Sequence, residues 1–314
     1  MRASVLLALF LLASSSSAQT VWPRGGERGA VFASVGYLRS DGLLGFGRGA
    51  GLAVLTARLG GEAVVVRRAG AGERPGLTGT LGLALQAADS RNLNPSFGSG
   101  FRPQSAEVYG RLAGPLGRAD VAATVGYVLD LGPGFPDASD EDGSFFAPNS
   151  DTQDAARLGL DASVPAGGGR VGAGVEGVLT FPKTFTYLAT DENGTPLGVA
   201  EGEFDDGDFL LAYVGAAVPV SSSVEVGLQI VGMRRDTQEF GLDANGERIR
   251  YARNVVSLVP HVRFARTGSP LSVSVVGEAP GGQFGEHGRY GVTVLGTSEP
   301  RVRLPLTVGV RYGL

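Results

Sequence analysis

The chain has 314 residues, with 27 Lys and Arg against 31 Asp and Glu, a net charge of −4, and no cysteine. An acidic balance without a basic patch interleaved with aromatics gives nucleic acid no electrostatic footing. The lack of Cys excludes a disulfide framework, a thiolate metal site and a lipid carried on a terminal Cys. Glycine is in excess, at 51 residues, yet it follows no collagen-like period and falls inside alternating apolar runs.

Taken in order, Arg2, the apolar run Val5 to Leu12 and the small residues Ser14 to Ala18 read as a cleavable secretory signal, cut after Ala18. The run is far below the ~20 residues of a spanning helix, and no later segment reaches ~18 consecutive apolar residues, so helical spans are excluded by length. Residues 19–27 then form a short periplasmic segment, and 28–314 a single transmembrane β-barrel domain.

From residue 28 onward the chain falls into pieces with alternate positions apolar, separated by clusters of Gly, Pro, Asn and Asp. The predicted strands are 28–40, 48–69, 76–89, 103–113, 117–130, 152–165, 169–187, 206–219, 222–240, 249–267, 270–280 and a last one ending at 314. That makes about 12, within a range of about 10 to 14 for a barrel of this length. Reading Gly60-Gly61 as a turn and Gly291 to Thr297 as a separate strand would give the upper figure. Twelve returns both termini to the periplasm, and the two interruptions are then read as bulges.

Face assignment follows from energetics, because an Arg toward lipid at mid-membrane costs roughly 2 to 4 kcal/mol while a lumen position carries no such penalty. Arg311 therefore turns inward, with Leu304, Leu306, Val308, Val310 and Tyr312 outward. Likewise Val121, Ala123, Val125, Tyr127 and Leu129 oppose Asp120, Thr124 and Asp130, and Leu158, Leu160, Ala162 and Val164 oppose Arg157, Gly159, Asp161 and Ser163. Val224, Val226, Leu228 and Ile230 oppose Glu225, Gly227 and Gln229, and Leu271, Val273 and Val275 oppose Ser272 and Ser274.

Connections alternate in length. Gly114–Gly117, Ala166–Gly169, Val220–Ser222 and Arg266–Pro270 are short, whereas Asp89–Arg102, Leu131–Asp151, Leu188–Asp205 and Arg235–Arg248 are long. Short periplasmic turns and long extracellular loops are the outer-membrane pattern. Two long loops carry Asn193-Gly194 and Asn245-Gly246, strong hairpin signals that extend their strands beyond the membrane. The expected fold is thus all-β, a closed antiparallel barrel in the cell outer membrane.

The inward candidates are Glu107, Arg111, Asp120, Arg157, Asp161, Glu176, Glu225, Arg253, His261, Arg263 and Arg311. They line a lumen of intermediate width, between barrels filled by side chains and wide aqueous porins. The predicted function is a non-enzymatic passive channel or transporter for small solutes. The alternative is a structural or surface-interaction barrel with a closed lumen whose outer loops bind a partner. An outer-membrane lipid hydrolase is the remote third reading, since His261 and His287 are the only histidines and Arg263 stands where a serine partner would be needed. The acidic run Asp137 to Asp142 lacks the oxygen spacing of a calcium loop, so no cofactor or metal is predicted. Expected partners are outer-membrane lipid and lipopolysaccharide, the barrel-assembly machinery and a small solute, with no nucleic acid.

Several residues carry a resemblance: Trp22-Pro23-Arg24-Gly25, Val35 to Asp41, Phe97-Gly98-Ser99-Gly100, Glu107-Val108-Tyr109-Gly110 and Val125-Gly126-Tyr127. In these the chain resembles bacterial outer-membrane barrels of the transporter type, similar in layout to barrels associated with aromatic-compound uptake. Two departures are Leu314 in place of a closing aromatic and the absence of a hatch-like N-terminal plug. The resemblance implies uptake of an apolar compound, whereas the charges assigned to the lumen argue for polar solutes.

Overall fold

A computed structural model describes residues 28–41, 51–68, 76–92, 102–131, 154–190, 196–204, 208–242, 248–277, 292–295 and 306–314. The predicted signal and N-terminal segment, the acidic run 137–142, His287 and the tips Asn193-Gly194 and Asn245-Gly246 lie outside them.

The described chain forms strands β1 (Gly29–Asp41), β2 (Gly51–Arg67), β3 (Thr78–Asn92), β4 (Arg102–Leu116), β5 (Ala119–Asp130), β6 (Ala155–Ala166) and β7 (Gly169–Thr180). A hairpin of β8 (Lys183–Thr190) and β9 (Pro196–Phe204) follows, then β10 (Phe209–Pro219), β11 (Val224–Leu242), β12 (Arg248–Ala265), β13 (Leu271–Val276), β14 (Val292–Leu295) and β15 (Leu306–Gly313). Each strand from β1 to β6 pairs with its successor, β7 pairs β10, and β10 to β13 continue in order. β13 pairs β15, which pairs β1, so twelve antiparallel strands close a ring. The first and last strands meet from Ala30↔Gly313 to Tyr37↔Leu306. Backbone bonds Arg28 N to Leu314 O and Leu314 N to Gly29 O, both 2.9 Å, fasten the seam although Leu314 is not aromatic.

Alternation along each strand produces the two surfaces. Large apolar side chains point outward on every side and are exposed, among them Leu83, Val108, Val125 (61%), Leu158 (63%), Val214, Ile230 and Leu306. Their intervening neighbours on the inner wall are buried or half-buried, as in β5 and β6. A soluble monomer rarely exposes more than a few hundred Å² of contiguous apolar surface, and this band runs around the whole ring.

Turn chemistry fits the short end. Gly167 and Gly168 join β6 to β7 in two residues with φ of 54° and 84°, a conformation that glycine adopts without steric cost and that matches the strand twist. β4 runs through the predicted turn at Gly114 to reach Leu116, so that only Gly117 and Arg118 form the bend. At the long end β11 and β12 stay paired out to Leu242↔Arg248, which turns most of the predicted loop 235–248 into a protruding ladder.

Three boundaries differ from expectation. The predicted strand 169–187 divides, because Pro182 has no N–H to continue the ladder, and β8 pairs with β9 in a separate two-stranded sheet. Gly60 and Gly61 are neither turn nor bulge: they lie in continuous register with β1 and β3, and the β2–β3 irregularity falls between Val64 and Val66. Finally, Val292–Leu295 is not a bulged part of the closing strand. β13 covers β12 only from Ala265 to His261, which leaves the outer edge of β12 open, and β14 pairs there with Val256, Ser257 and Leu258.

Candidate functional site

The inner wall collects charge of both signs into cross-strand networks. The longest runs across β2, β4, β6 and β7: Arg58 donates to Glu107, Arg157 donates to the other oxygen of Glu107, and Arg157 also reaches Glu176 Oε1 at 2.8 Å from Nη2 and 3.1 Å from Nε. Its side chains are only 7 to 17% exposed. At such burial each charge depends on its partners, because removing one member leaves the other desolvated and uncompensated. Arg58 also sits over the Phe32 ring, 5.8 Å from its centroid.

A second group spans β4, β2 and β15. The Tyr109 hydroxyl donates to Glu62 Oε2 at 3.1 Å, and Arg311 pairs with Oε1 of the same carboxylate. In a third, Arg170 of β7 pairs with Asp120 of β5 and reaches Ser163 Oγ of β6 at 2.9 Å. In the fourth, the Tyr213 hydroxyl of β10 donates to Asp161 of β6. Thus Glu107, Asp120, Arg157, Asp161, Glu176 and Arg311 all enter networks on the inner wall.

Arg111 of β4 lies opposite Thr80 of β3 and Thr124 of β5, and the remaining candidates lie on β11 and β12. Glu225 and Arg263 face each other directly across β11 and β12. The backbone of Arg253 lies opposite Arg235 in the long β11–β12 ladder, and its side chain is outside the described residues. The residues opposite His261 are Gly227 and Val276, neither a nucleophile nor a carboxylate, so the arrangement a hydrolase requires is not assembled around it. Among the described residues no group of His, Asp and Glu is placed to hold a metal ion.

Sequence reasoning missed Arg58, Glu62, Arg170, Tyr109 and Tyr213. The signal was present for the first two, since both alternate with Leu55, Ala57 and Leu59 in β2 once the alternation is carried through Gly60-Gly61. The tyrosines are explained by wall glycines. Phe32, Tyr109, Tyr213 and His261 each stand directly opposite a glycine, at Gly60, Gly82, Gly174 and Gly227 respectively. A Cβ at any of the four would come within 2.1 to 2.5 Å of the opposing ring, so each ring lies across its glycine. The glycine excess is therefore partly the room that bulky inward side chains occupy.

The lining is not charged throughout. Toward the long-loop end Ala155, Val178, Leu211, Val231, Met233, Val259 and Val276 form a buried apolar cluster on consecutive strands from β6 to β13, with Tyr213 packed against it.

No family model matches the chain, and no curated protein matches it. Among solved structures, an outer-membrane channel from Pseudomonas putida F1 matches over 93% of this chain and 100% of its own, at 12% identity and a TM-score of 0.58. The barrel is shared. The translocator domain of the autotransporter NalP from Neisseria meningitidis matches over 95% of this chain and 92% of its own, at 12% identity and a TM-score of 0.48. At such identities the likeness is one of fold.

Proposed function

We propose that this chain is an outer-membrane channel for small polar solutes, non-enzymatic and seated among outer-membrane lipid and lipopolysaccharide after delivery by the barrel-assembly machinery. The observation that carries the reading is the pairing of two surfaces: an apolar band around the outside of the closed ring, and an inner wall of ionised and hydroxylated side chains. An apolar exterior is what a bilayer core accepts, and a polar interior is what a hydrated solute requires. The same interior weighs against an apolar aromatic cargo, because such a molecule would have to displace water from paired charges without offering them hydrogen bonds.

The Arg58–Glu107–Arg157–Glu176 chain gives the second reading its support, since it ties together inner-wall positions from four strands and would brace a closed lumen. Planar-bilayer recording of the refolded protein separates the two. Stepwise single-channel conductance in potassium chloride is expected. Sealed bilayers with fully inserted, heat-modifiable protein would overturn the channel and favour the braced barrel.

A further inference from the structure

The short-turn rim carries exposed charge of one sign. Arg28, Arg67, Arg68, Arg118 and Arg266 are all exposed there, and none of them enters the ion pairs of the inner wall. Among the described residues no exposed Asp or Glu accompanies them at that end. The acids closest to it are turned to other work: Asp120 is paired with Arg170, Glu62 accepts from Tyr109 and Arg311, and Glu225 lies opposite Arg263. Outside the described residues, 19–27 add Arg24 and Glu27 and 69–75 add Glu73 and Arg74, which leaves the balance of charge unchanged.

The five fall on one side of the ring. Following the sheet from the β12–β13 turn through β15, β1, β2 and β3 to the β4–β5 bend passes Arg266, Arg28, Arg67, Arg68 and Arg118 in turn. The β6–β7 and β10–β11 turns on the other side present only Gly167, Gly168, Ser221 and Ser222 to solvent. With strands about 4.8 Å apart, the cationic arc runs on the order of 30 Å along the rim. Backbone bonds hold its anchor points. Arg28 N donates to Leu314 O at 2.9 Å and Val64 N to Arg28 O at 2.8 Å, Arg68 N donates to Leu77 O at 2.8 Å, and Ser269 N donates to Arg266 O at 3.0 Å. Beside the arginines the outer apolar band ends in the exposed side chains of Val65, Val66, Leu77, Leu116, Leu271 and Leu314. The charges therefore stand where hydrocarbon gives way to headgroups.

We propose that this arc is a docking surface for anionic phospholipid, binding the headgroup phosphates of the leaflet at the short-turn end. The inference rests on the membrane placement of the barrel with its short turns in the periplasm, the side on which phospholipid forms the leaflet, and it requires no open lumen. A guanidinium matches two phosphate oxygens at once. A headgroup with its own ammonium brings a cation against five others, whereas an anionic one does not. Each basic residue at an anionic surface is worth up to about fivefold in association before screening. An acidic protein partner fits less well, because it would need the arginines clear of the bilayer edge, and Val65, Val66 and Leu116 beside them put them at it.

The probes are spin-labelled phosphatidylglycerol and phosphatidylcholine in vesicles holding the refolded full-length barrel, with electron paramagnetic resonance reporting the fraction of each lipid immobilised on the protein. The wild type should hold phosphatidylglycerol over phosphatidylcholine by at least about twofold, and the preference should vanish in about 1 M salt, where the screening length is about 3 Å. A triple variant, Arg67→Gln, Arg68→Gln and Arg118→Gln, should bring the ratio close to one, whereas Lys at the same three positions should keep it. Both are confirmed folded by the heat-modifiable gel shift. No preference in the wild type, or a preference that survives in the Gln variant, would overturn the arc; so would its loss in the Lys variant, which keeps the charge. Lipid preference in a barrel that never conducts would leave the arc standing and retire the channel. Conductance without lipid preference would do the reverse.

Discussion

Leu160 offers a direct measurement of which face of β6 meets lipid. It lies at the middle of the strand, 55% exposed, opposite Ala123 of β5 and Val175 of β7 on the outer surface. Replacing it with Arg places a guanidinium near the centre of the apolar band, at a cost of about 2 to 4 kcal/mol. Taking a half-exposed leucine side chain away from the lipid adds about 1 kcal/mol. A total near 3 to 5 kcal/mol corresponds to a loss of at least about a hundredfold in the folded-to-unfolded ratio. Gly159 is the matched control. It points inward, a Cβ there would meet Thr124 at 3.8 Å and Val175 O at 3.9 Å, and its neighbour across the ladder is Glu176. Gly159→Arg enters with ordinary contacts and a carboxylate nearby, and is expected to cost no more than about 1 kcal/mol, the scale of a typical single substitution. Urea titration of both variants refolded into lipid vesicles, read by the heat-modifiable gel shift, gives the two numbers. Equal losses, or a larger loss at Gly159, would refute the assignment of the outer face to lipid.

Gly82→Leu should cost about 1 to 3 kcal/mol by overpacking, because its Cβ would fall 2.1 Å from Tyr109 Cζ, and the added Tyr109→Ala change should recover part of that loss in the same titration. If the double variant is worse than the sum of the singles, the ring does not rest on that glycine. For orientation, Cys placed at Ser139 and Asn193 should react with an impermeant maleimide on intact cells, and Cys at Ser221, in the short β10–β11 turn, should not. Labelling at Ser221 alone would invert the barrel in the membrane.

Local sequence determined the strands and their faces, for one physical reason. A membrane-spanning strand meets lipid on one side and a polar interior on the other, and side chains alternate between them, so each strand carries its own record in a period of two. That is why Arg157 and Asp161 could be placed inward, and Leu158 and Leu160 outward, from β6 alone. The short turns followed from their glycines and from the spacing between apolar runs. What alternation cannot supply is the partner. Arg157 and Glu107 are 50 residues apart, and Arg311 and Glu62 are 249 apart. Whether they meet depends on the register of every ladder and on closure of β15 against β1, which brings the last strand beside the first. The same holds for Gly82 under Tyr109 and Gly174 under Tyr213: composition announced an excess of glycine, and only cross-strand register shows which side chain each glycine makes room for.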